Sequence, residues 1–389
     1  MTRSPAESGS EQTPLLQIAG LFLRLGATSF GGPAAHIAMM EDEVVRRRGW
    51  LSSEHFLDLL SAANLIPGPN STELAIHIGW ARRRWAGLAV AGLAFILPAV
   101  AITGAVAWAY VRFGSLPEVS WLLYGVKPVI IAVVAQAIWR LAPRAARTPA
   151  LAVLGVAAAA LAWVGVNELV VLFGAGLVRV LGARSTAGGS PGAGVTDRLK
   201  FFLIAPAAGL SAVAVKTLPA LFWVFCKIGA VLFGSGYVLV AFLQSDLVDR
   251  LGWISQAQLV DAVAVGQMTP GPVFSTATFI GYLLSGPSGA LVATAGIFLP
   301  AFVFVALSGP LVPRLRASPL AAAFLDGINV ASLALMLAVT ARLIPVSIVD
   351  RRTAALGLAS VALLARFRLN SSWLVLGGAA AGWALHALG

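Results

Sequence analysis

The sequence predicts an all-α polytopic membrane protein, built from two inverted repeats with helices that are broken inside the membrane. Three observations predict this class: the composition, a succession of about 13 hydrophobic segments, and a match of the chain with itself. Of the 389 residues, 59% are hydrophobic and 11% are charged, and the mean hydropathy is +0.88. Because soluble domains carry about a quarter charged residues, the composition excludes an ordinary soluble protein.

Hydrophobic segments recur along the whole chain, and many could cross a bilayer as a helix of about 20 residues. Residues 86–111, 121–141 and 320–341 are the clearest examples. The pattern leaves open whether every segment spans the membrane or whether some are re-entrant. The full set lies at 15–40, 54–79, 86–111, 121–141, 149–166, 168–182, 201–215, 218–243, 254–283, 288–312, 320–343, 353–366 and 371–388.

A Gly- and Ser-rich stretch at 183–200 is the one obvious linker in the chain. It predicts a division into three parts. We expect an N-terminal repeat over 1–182, a linker with one short hydrophobic segment over 183–217, and a C-terminal repeat over 218–389.

The net charge of +11 comes from short basic clusters between hydrophobic segments, such as residues 46–48 and 82–84. A nucleic-acid face would be one continuous basic surface with interleaved aromatic side chains, so we expect no nucleic-acid partner. Clusters at helix ends follow the positive-inside rule, and their distribution predicts a cytoplasmic N-terminus. The single Cys226 excludes an internal disulfide and a multi-cysteine metal site. We therefore expect no metal and no cofactor.

The chain matches itself when it is shifted by 203 positions, and by 202 positions after a one-residue gap. A Pro-Gly-Pro tripeptide at 67–69 then falls on a second one at 270–272. Chance does not hold one register with one gap over the stretch from Gly26 to Pro143, so the module is duplicated. Other matched pairs are Gly26 with Gly229, Gly31 with Gly234, Asp58 with Asp261 and Gly79 with Gly281.

The number of segments between the two copies predicts their relative orientation. Seven segments separate equivalent points, and an odd number makes the second copy enter the membrane from the opposite side. Such inverted repeats are common among secondary transporters. If both Pro-Gly-Pro segments are re-entrant, five spans separate the copies. Five is also an odd number, so the second copy is still inverted relative to the first.

Each repeat contains two helix breaks, which are the best sequence pointers to a transport site. The first break is at 29–33, matched by 232–236, and the second is at 66–72, matched by 269–276. Pro-Gly-Pro removes two backbone donors, so a continuous helix cannot pass through it. A helix that begins mid-membrane aims unpaired N–H groups and its positive dipole end at one point, which suits an anion. The alternative is a packing kink, but recurrence at the equivalent place favours a site.

The candidate substrate-binding residues are the glycines, prolines and polar side chains at these breaks, together with two equivalent cations inside hydrophobic segments. Cations at such positions are costly and usually functional, although long side chains can also extend to the membrane surface. The cations are Arg24 and Lys227, and the break residues are Gly31, Gly32, Gly234, Ser235, Asn64, Pro67, Gly68, Pro69, Asn70, Ser71, Thr72, Gln267, Pro270, Gly271, Pro272, Ser275 and Thr276.

Five titratable residues are candidates for proton coupling. Glu73 is preferred, because the second repeat has Thr276 at the equivalent position. The equivalent pair Asp58 and Asp261 has an equally good alternative role, in pairing with cations or capping a half-helix. His36 and His77 could titrate near physiological pH, but each could also be a hydrogen-bonded scaffold residue.

The strings SFGGPAAHIAMM (29–40), LIPGPNSTELAIHIG (65–79), FGSGYVLVAFL (233–243) and VGQMTPGPVFSTATFIGYLL (265–284) resemble signatures of the two-domain (long-chain) chromate ion transporter family. The resemblance covers both repeats. It implies a multi-pass protein of the bacterial inner (plasma) membrane that exports chromate and gives chromate resistance, coupled to the proton gradient. Sulfate is the obvious competitor, because chromate enters cells as a sulfate look-alike.

Other functions are weighed against this expectation. An enzyme would need a nucleophile–base pair or a metal cluster, and His36, His77 and the lone cysteine have no recognised catalytic spacing, so we expect no enzyme. A transporter of sulfate or another oxyanion, and a passive anion channel, remain open alternatives. The expected partners are the oxyanion and the lipid bilayer, and assembly as a homodimer is left open.

Overall fold

The computed structural model describes residues 13–114, 116–186, 216–233, 236–316, 318–367 and 369–387. These residues are 86% helical and contain no strand, which confirms the predicted all-α class. The described helices are α1 (Leu15–Thr28), α2 (Pro33–Glu41), α3 (Ser53–Ala63), α4 (Asn70–Phe113), α5 (Pro117–Ala145), α6 (Pro149–Trp163), α7 (Glu168–Thr186), α8 (Leu218–Val231), α9 (Leu239–Leu243), α10 (Gln256–Met268), α11 (Thr276–Arg316), α12 (Pro319–Ser347), α13 (Arg351–Arg366) and α14 (Ser371–Ala387).

Four described helices are long and apolar enough to cross a membrane: α4, α5, α11 and α12. The clearest predicted spans, 86–111, 121–141 and 320–341, lie inside α4, α5 and α12. Shorter apolar helices include α1, α6 and α8. Most of the predicted linker, with its hydrophobic segment at 201–215, lies outside the described residues.

The helices α4 and α11 are each two antiparallel helices joined by a sharp turn. The turn in α4 lies at Arg83 and Arg84, where the backbone angles leave the helical region. A Cβ added at Gly79 would lie 2.2 Å from the carbonyl oxygen of Gly87. In a straight helix these residues would be about 12 Å apart, so the chain reverses between them. Gly281 and Gly289 repeat this contact in α11.

The first half of α4 and the preceding helix α3 form a re-entrant hairpin with Pro-Gly-Pro at its tip. His55, near the start of α3, lines the same cavity as residues 80–84, at the end of the first half of α4. The chain therefore enters along α3, turns at residues 64–69, and returns to the same side. The segment predicted at 54–79 is re-entrant, which is the alternative that the sequence left open.

Residues 15–47 form a second hairpin that also returns to its starting side. The guanidinium of Arg82 donates to Thr13 Oγ1 and to the carbonyl oxygen of Trp50, both at 2.8 Å. Thr13 precedes α1, and Trp50 follows a π-helical turn (Asp42–Arg47) that continues α2. One arginine therefore holds both ends of this hairpin together, and residues 15–40 are not one continuous span.

The two repeats are inverted relative to each other, as predicted. Tyr110, near the C-terminal end of α4, donates a 2.9 Å hydrogen bond to the carboxylate of Asp261, in the first half of α10. The equivalent helix α3 begins at the other end of the second half of α4, beside residues 80–86. The hairpins of the two repeats therefore enter from opposite ends of the long helices. Parts of α4 and α5–α7 separate them in the chain.

Small residues let α1 pack directly against the backbone of α4. A Cβ at Gly26 would lie 2.4 Å from the carbonyl oxygen of Phe95, and a Cβ at Gly229 would lie 2.3 Å from that of Ile297. Both contacts occupy equivalent positions in the two repeats. In both repeats the first helix, α1 or α8, therefore packs in direct backbone contact with a long helix, α4 or α11.

We expect the substitution Gly26→Ala to lower stability, because the methyl group cannot fit without moving α1 away from α4. Overpacking of this kind typically costs about 1–3 kcal/mol. Gly20 lies in the same helix with nothing within 4 Å of an added Cβ, so Gly20→Ala should raise stability by up to about 1 kcal/mol through helix propensity. Thermal unfolding of both variants in detergent measures the difference. Equal melting temperatures would show that the Gly26 contact is not tight.

Candidate transport site

The two Pro-Gly-Pro tips each donate a hydrogen bond to the other repeat. The amide of Gly68 donates to the carbonyl oxygen of Leu232 at 2.7 Å, and the amide of Gly271 donates to that of Ser29 at 2.9 Å. Proline has no N–H, so this amide is the one backbone donor in each tripeptide. Leu232 and Ser29 are equivalent residues of the first breaks. The hydrogen bonds therefore join each Pro-Gly-Pro break to the first break of the other repeat.

The backbone at the tips requires glycine. Gly68 has a φ of +138° and Gly271 a φ of +85°, in a region that side chains disfavour. A Cβ at Gly271 would lie 2.8 Å from the carbonyl oxygen of Gly26, and a Cβ at Gly68 would lie 2.3 Å from Glu73 Oε1. The candidate residues Gly31 and Gly32 also have positive φ angles, of +105° and +77°. Gly234 and Ser235 lie outside the described residues.

The helices that begin at the breaks lack side-chain caps. The N-cap residues of α2 and α4 are Gly32 and Pro69, and no side chain bonds to either helix start. A 3₁₀ turn that follows Pro272 is also uncapped. Six of the described helices that begin away from the breaks have side-chain caps, whereas α1 and α5 do not. The capping residues are Ser52, Thr148, Thr217, Ser255, Ser318 and Asp350.

Uncapped helix starts leave amide donors for a ligand. In α4 the amides of Thr72 and Glu73 bond to the carbonyl oxygen of Pro69 at 2.7 Å and 3.1 Å. The amides of Asn70 and Ser71 come before these first intrahelical bonds. Together with the positive end of the helix dipole, they can bind an anion.

Buried polar atoms without a hydrogen-bond partner lie close to the breaks. Buried polar groups are usually satisfied, so each such atom needs an explanation. Within the described residues these atoms include Ser29 Oγ, Thr72 Oγ1, both carboxylate oxygens of Glu73, and Gln267 Nε2. A polar ligand or water at the meeting point of the breaks would satisfy them.

Glu73 is fully buried, as is Thr72, and it is the one carboxylate among these groups. Its side chain is 0% exposed, and neither carboxylate oxygen has a hydrogen-bond partner in the described structure. The carboxylate packs over Gly68 at the tip of its own hairpin. An isolated ionised carboxylate is very costly in such surroundings. His77, one helical turn further along, also has an unpartnered buried Nε2.

His36 connects the two breaks of the first repeat. Its Nδ1 lies 3.2 Å from Ser71 Oγ and its Nε2 lies 3.2 Å from the carbonyl oxygen of Ser29. A carbonyl only accepts hydrogen bonds, so Nε2 carries a hydrogen in this arrangement. The same carbonyl accepts the amide of Gly271. His36 is therefore hydrogen-bonded into the contact between the repeats.

Other predicted polar residues bond to one another around the tips. Asn70 Nδ2 donates to Asn64 Oδ1 at 2.6 Å. Thr276 Oγ1 donates to the carbonyl oxygen of Val273 at 2.8 Å, and Ser275 Oγ accepts from Thr103 at 3.2 Å.

Arg24 and Lys227 each lie beside a buried acid. Arg24 Nη2 lies 2.6 Å from Glu43 Oε1, and Lys227 Nζ lies 2.5 Å from Asp246 Oδ2. Both acids are nineteen positions beyond their cation and belong to matching π-helical turns. Arg24 is 50% exposed and Lys227 29% exposed. The structure thus places each cation in an ion pair near a first break.

The equivalent residues Asp58 and Asp261 differ in their surroundings. Asp58 is exposed on α3, whereas Asp261 is 3% exposed. Asp261 accepts a hydrogen bond from Tyr110 and lies 3.4 Å from Lys127 Nζ. The pair therefore does not share one role in the two repeats.

Three polar residues near the breaks were missed by sequence reasoning. Thr103 bonds to Ser275 from inside the predicted span 86–111. The hydroxyl of Tyr237 and the amide of Asn370 lie 3.7 Å and 3.3 Å from Cβ positions at Gly32 and Gly31, respectively. An isolated hydroxyl in an apolar segment was a signal for Thr103, but Asn370 lies outside the matched motifs.

Inverted repeats whose broken helices meet at a buried polar centre define the class of this protein: it is a multi-pass membrane transporter. The more specific assignment comes from comparison with known proteins. A family model described as "Chromate transporter" matches residues 16–180 and again residues 219–383. The chain belongs to the chromate transporter family, which confirms the resemblance drawn from its motifs.

Several curated proteins are similar to the chain over most of its length. The chromate transport protein of Cupriavidus metallidurans is 35% identical over 94% of this chain and 92% of its own length. The probable chromate transport protein of Synechococcus elongatus is 30% identical over 92% and 91%. An uncharacterised transporter of Methanocaldococcus jannaschii is 27% identical over 82% of each chain. No solved structure matches significantly.

Proposed function

We propose that this chain is a secondary transporter that exports chromate from the cytoplasm across the bacterial inner membrane, coupled to protons, and so gives chromate resistance. The observation that carries the proposal is the reciprocal pair of hydrogen bonds from Gly68 and Gly271, which together with the contacts of His36 to Ser29 and Ser71 connects all four helix breaks. The relatives named as chromate transport proteins support chromate as the substrate.

A tetrahedral dianion suits this centre because it needs many donors and little space. The uncapped start of α4 supplies amides at Asn70 and Ser71, and the 3₁₀ turn after Pro272 supplies others from the second repeat. Hydroxyl and amide side chains then adjust the fit. We assign this role to Asn64, Asn70, Ser71, Thr72, Gln267, Ser275 and Thr276, with Gly31 and Gly32 giving close backbone approach. Gly234 and Ser235 are assigned to the site as their equivalents in the second repeat.

The cations act from the edge of the site in this proposal. Arg24 is five residues before Ser29, or about 7.5 Å along a helix. Its charge and that of Lys227 are shared with Glu43 and Asp246. As the oxyanion enters, each cation exchanges part of its interaction with the acid for interaction with the substrate.

Glu73 carries the proton in this mechanism. Its unpartnered, fully buried carboxyl is accommodated in the neutral form, and exposure to water on one side would let it ionise. His36 is the second candidate, because its hydrogen bonds join the breaks. Asp58, Asp261 and His77 complete the set of coupling candidates.

The hairpin of the first repeat opens toward the cytoplasm in the proposed orientation. Residues 82–84 and 46–48 lie at that end, and the positive-inside rule favours this placement. The N-terminus is then cytoplasmic. The mass of the detergent-solubilised particle would show whether the chain is a monomer or assembles as a homodimer.

Flux into sealed proteoliposomes tests the proposed function. Chromate and sulfate uptake is measured with and without an imposed pH gradient. Chromate accumulation that depends on the gradient supports proton-coupled transport. Preference for sulfate would make the chain a transporter of a different oxyanion, and flux that never exceeds equilibrium would make it a passive anion channel.

We expect Arg24→Ala and Lys227→Ala each to abolish chromate transport while the protein still inserts. Arg47→Ala is the matched control, because Arg47 also contacts Glu43, at 3.3 Å, but is 63% exposed. It should keep most activity. The double variant Arg24→Gln with Glu43→Gln removes both charges of the pair, so it tests folding separately. Normal transport by both single alanine variants would exclude the two cations from the site.

A further inference from the structure

The turn between the two halves of α4 is strained in a way that its counterpart in the second repeat is not. Arg84 has a φ of +49° and a ψ of −132°, and it is the one non-glycine residue with positive φ in the described part of the chain. The equivalent residue is Gly286, with a φ of +63° and a ψ of −152°. The preceding residues, Arg83 and Ser285, have nearly identical angles.

The second repeat shows that the turn itself does not require an arginine. Gly286 shows that glycine forms the same turn without steric cost. A positive φ in a non-glycine residue destabilises the folded state, and such strain concentrates at functional sites. We therefore expect the side chain of Arg84 to have a role in the first repeat that offsets the backbone strain.

That side chain lines a cavity of about 700 Å³ at the open end of the hairpin, away from the Pro-Gly-Pro tip. The cavity is separate from the helix breaks, which lie at the opposite end of the same hairpin. Its basic lining comprises His55 and three consecutive arginines. The lining residues are His55, Leu59, Trp80, Ala81, Arg82, Arg83, Arg84 and Ala86.

Hydrogen bonds and aromatic contacts hold the wall of this cavity in place. Arg82 is fixed by its hydrogen bonds to Thr13 and Trp50. The guanidinium of Arg84 lies over the ring of Trp80, 5.8 Å from its centroid. Trp80 in turn packs edge-on against Trp85, which is 65% exposed. Exposed tryptophan at the end of a spanning helix is typical of the membrane–water interface.

We propose that this cavity is a second anion site, distinct from the transport centre, which binds a phosphate-like tetrahedral oxyanion group. Guanidinium groups match such oxyanions through paired N–H donors. At interfacial depth the group is either the phosphate of an anionic phospholipid or a free oxyanion in solution. Basic pockets beside membrane helices bind lipid headgroups in this way, and the volume is sufficient for either ligand.

Arg84→Gly tests the proposal, because it gives the first repeat the turn of the second repeat. We expect a higher melting temperature than that of the wild type, together with weaker anion binding. Loss of one arginine near an anionic group should weaken binding about fivefold. Arg46→Ala is the matched control, since Arg46 lies at the same end of the fold, outside the cavity, and is 71% exposed.

Two measurements distinguish the sources of the anion. Equilibrium binding of radiolabelled sulfate to delipidated protein reports the free oxyanion, and native mass spectrometry reports retained phosphatidylglycerol. Loss of sulfate binding alone in Arg84→Gly identifies a free oxyanion, and loss of phosphatidylglycerol alone identifies a lipid phosphate. Unchanged binding of both ligands, or a lower melting temperature, would overturn the proposal. Arg84 lies away from the transport centre, so Arg84→Gly does not alter that centre. The binding result can therefore be interpreted even if the protein proves not to export chromate.

Discussion

Replacing Gly271 with alanine should reduce chromate transport by about a hundredfold or more, the scale expected when a site is displaced by about 1 Å. The new methyl group would lie 2.8 Å from the carbonyl oxygen of Gly26 and 2.9 Å from the Cβ of Ala99. The tip must therefore move, and its amide would lose the hydrogen bond to Ser29. Initial rates of chromate uptake into proteoliposomes measure the effect.

Gly252→Ala is the matched control for this prediction. Gly252 also has a positive φ, of +59°, but nothing lies within 4 Å of an added Cβ. The control therefore carries backbone strain without a clash at the tip, and it should keep nearly normal transport. If Gly271→Ala transports as well as Gly252→Ala, the contact between the tip and the first break is not needed for function.

Replacing Glu73 with glutamine should remove proton coupling while leaving substrate binding intact. The amide keeps the size and neutrality that the buried site accommodates, but it cannot release a proton. With a pH gradient imposed, the wild type should concentrate chromate. Glu73→Gln should only transport chromate down its own concentration gradient. Tracer exchange at equal pH should continue in the variant.

Glu54→Gln is the control for the loss of a carboxylate elsewhere on the same hairpin, since Glu54 is exposed in the first turn of α3. Its gradient-driven accumulation should match that of the wild type. Continued accumulation by Glu73→Gln would instead assign the proton to another group, with His36 the next to test.

The duplication and the helix breaks could be predicted from the sequence because both depend on residue identity alone. Pro-Gly-Pro breaks a helix wherever it occurs, and its recurrence after 203 positions marks equivalent places. The sequence also showed that each tripeptide has a single N–H. It could not show that Leu232 and Ser29 accept these hydrogen bonds, because the acceptor depends on how the repeats pack.

The re-entrant hairpins could not be predicted for a different reason. Arginines at 82–84 are expected at any helix end by the positive-inside rule, and they do not show that the chain reverses there. The reversal depends on the close packing of Gly79 against Gly87. Glycine is frequent in membrane helices in general, so its presence at these positions did not distinguish a reversal from a continuous helix.

The ion pairs of Arg24 and Lys227 could have been predicted from the sequence. Glu43 and Asp246 each follow their cation by nineteen positions and are themselves equivalent in the repeat. An acid and a base kept together in both copies indicate a contact. The polar neighbour Tyr237 had no such signal, because Ala34 stands at the matching position. Asn370 had one, since Asn167 stands 203 positions before it and each asparagine side chain accepts the amide two residues further on.

The position of a bound oxyanion tests directly whether the substrate binds where the Pro-Gly-Pro tips of the two repeats meet. Selenate is a tetrahedral dianion like chromate, and its selenium can be located by anomalous scattering in crystals of the protein. We expect a selenium peak between the two Pro-Gly-Pro tips, within hydrogen-bonding reach of the first amides of α4, with or without a second peak beside Arg84. Occupancy confined to other parts of the molecule, with none between Gly68 and Gly271, would contradict it.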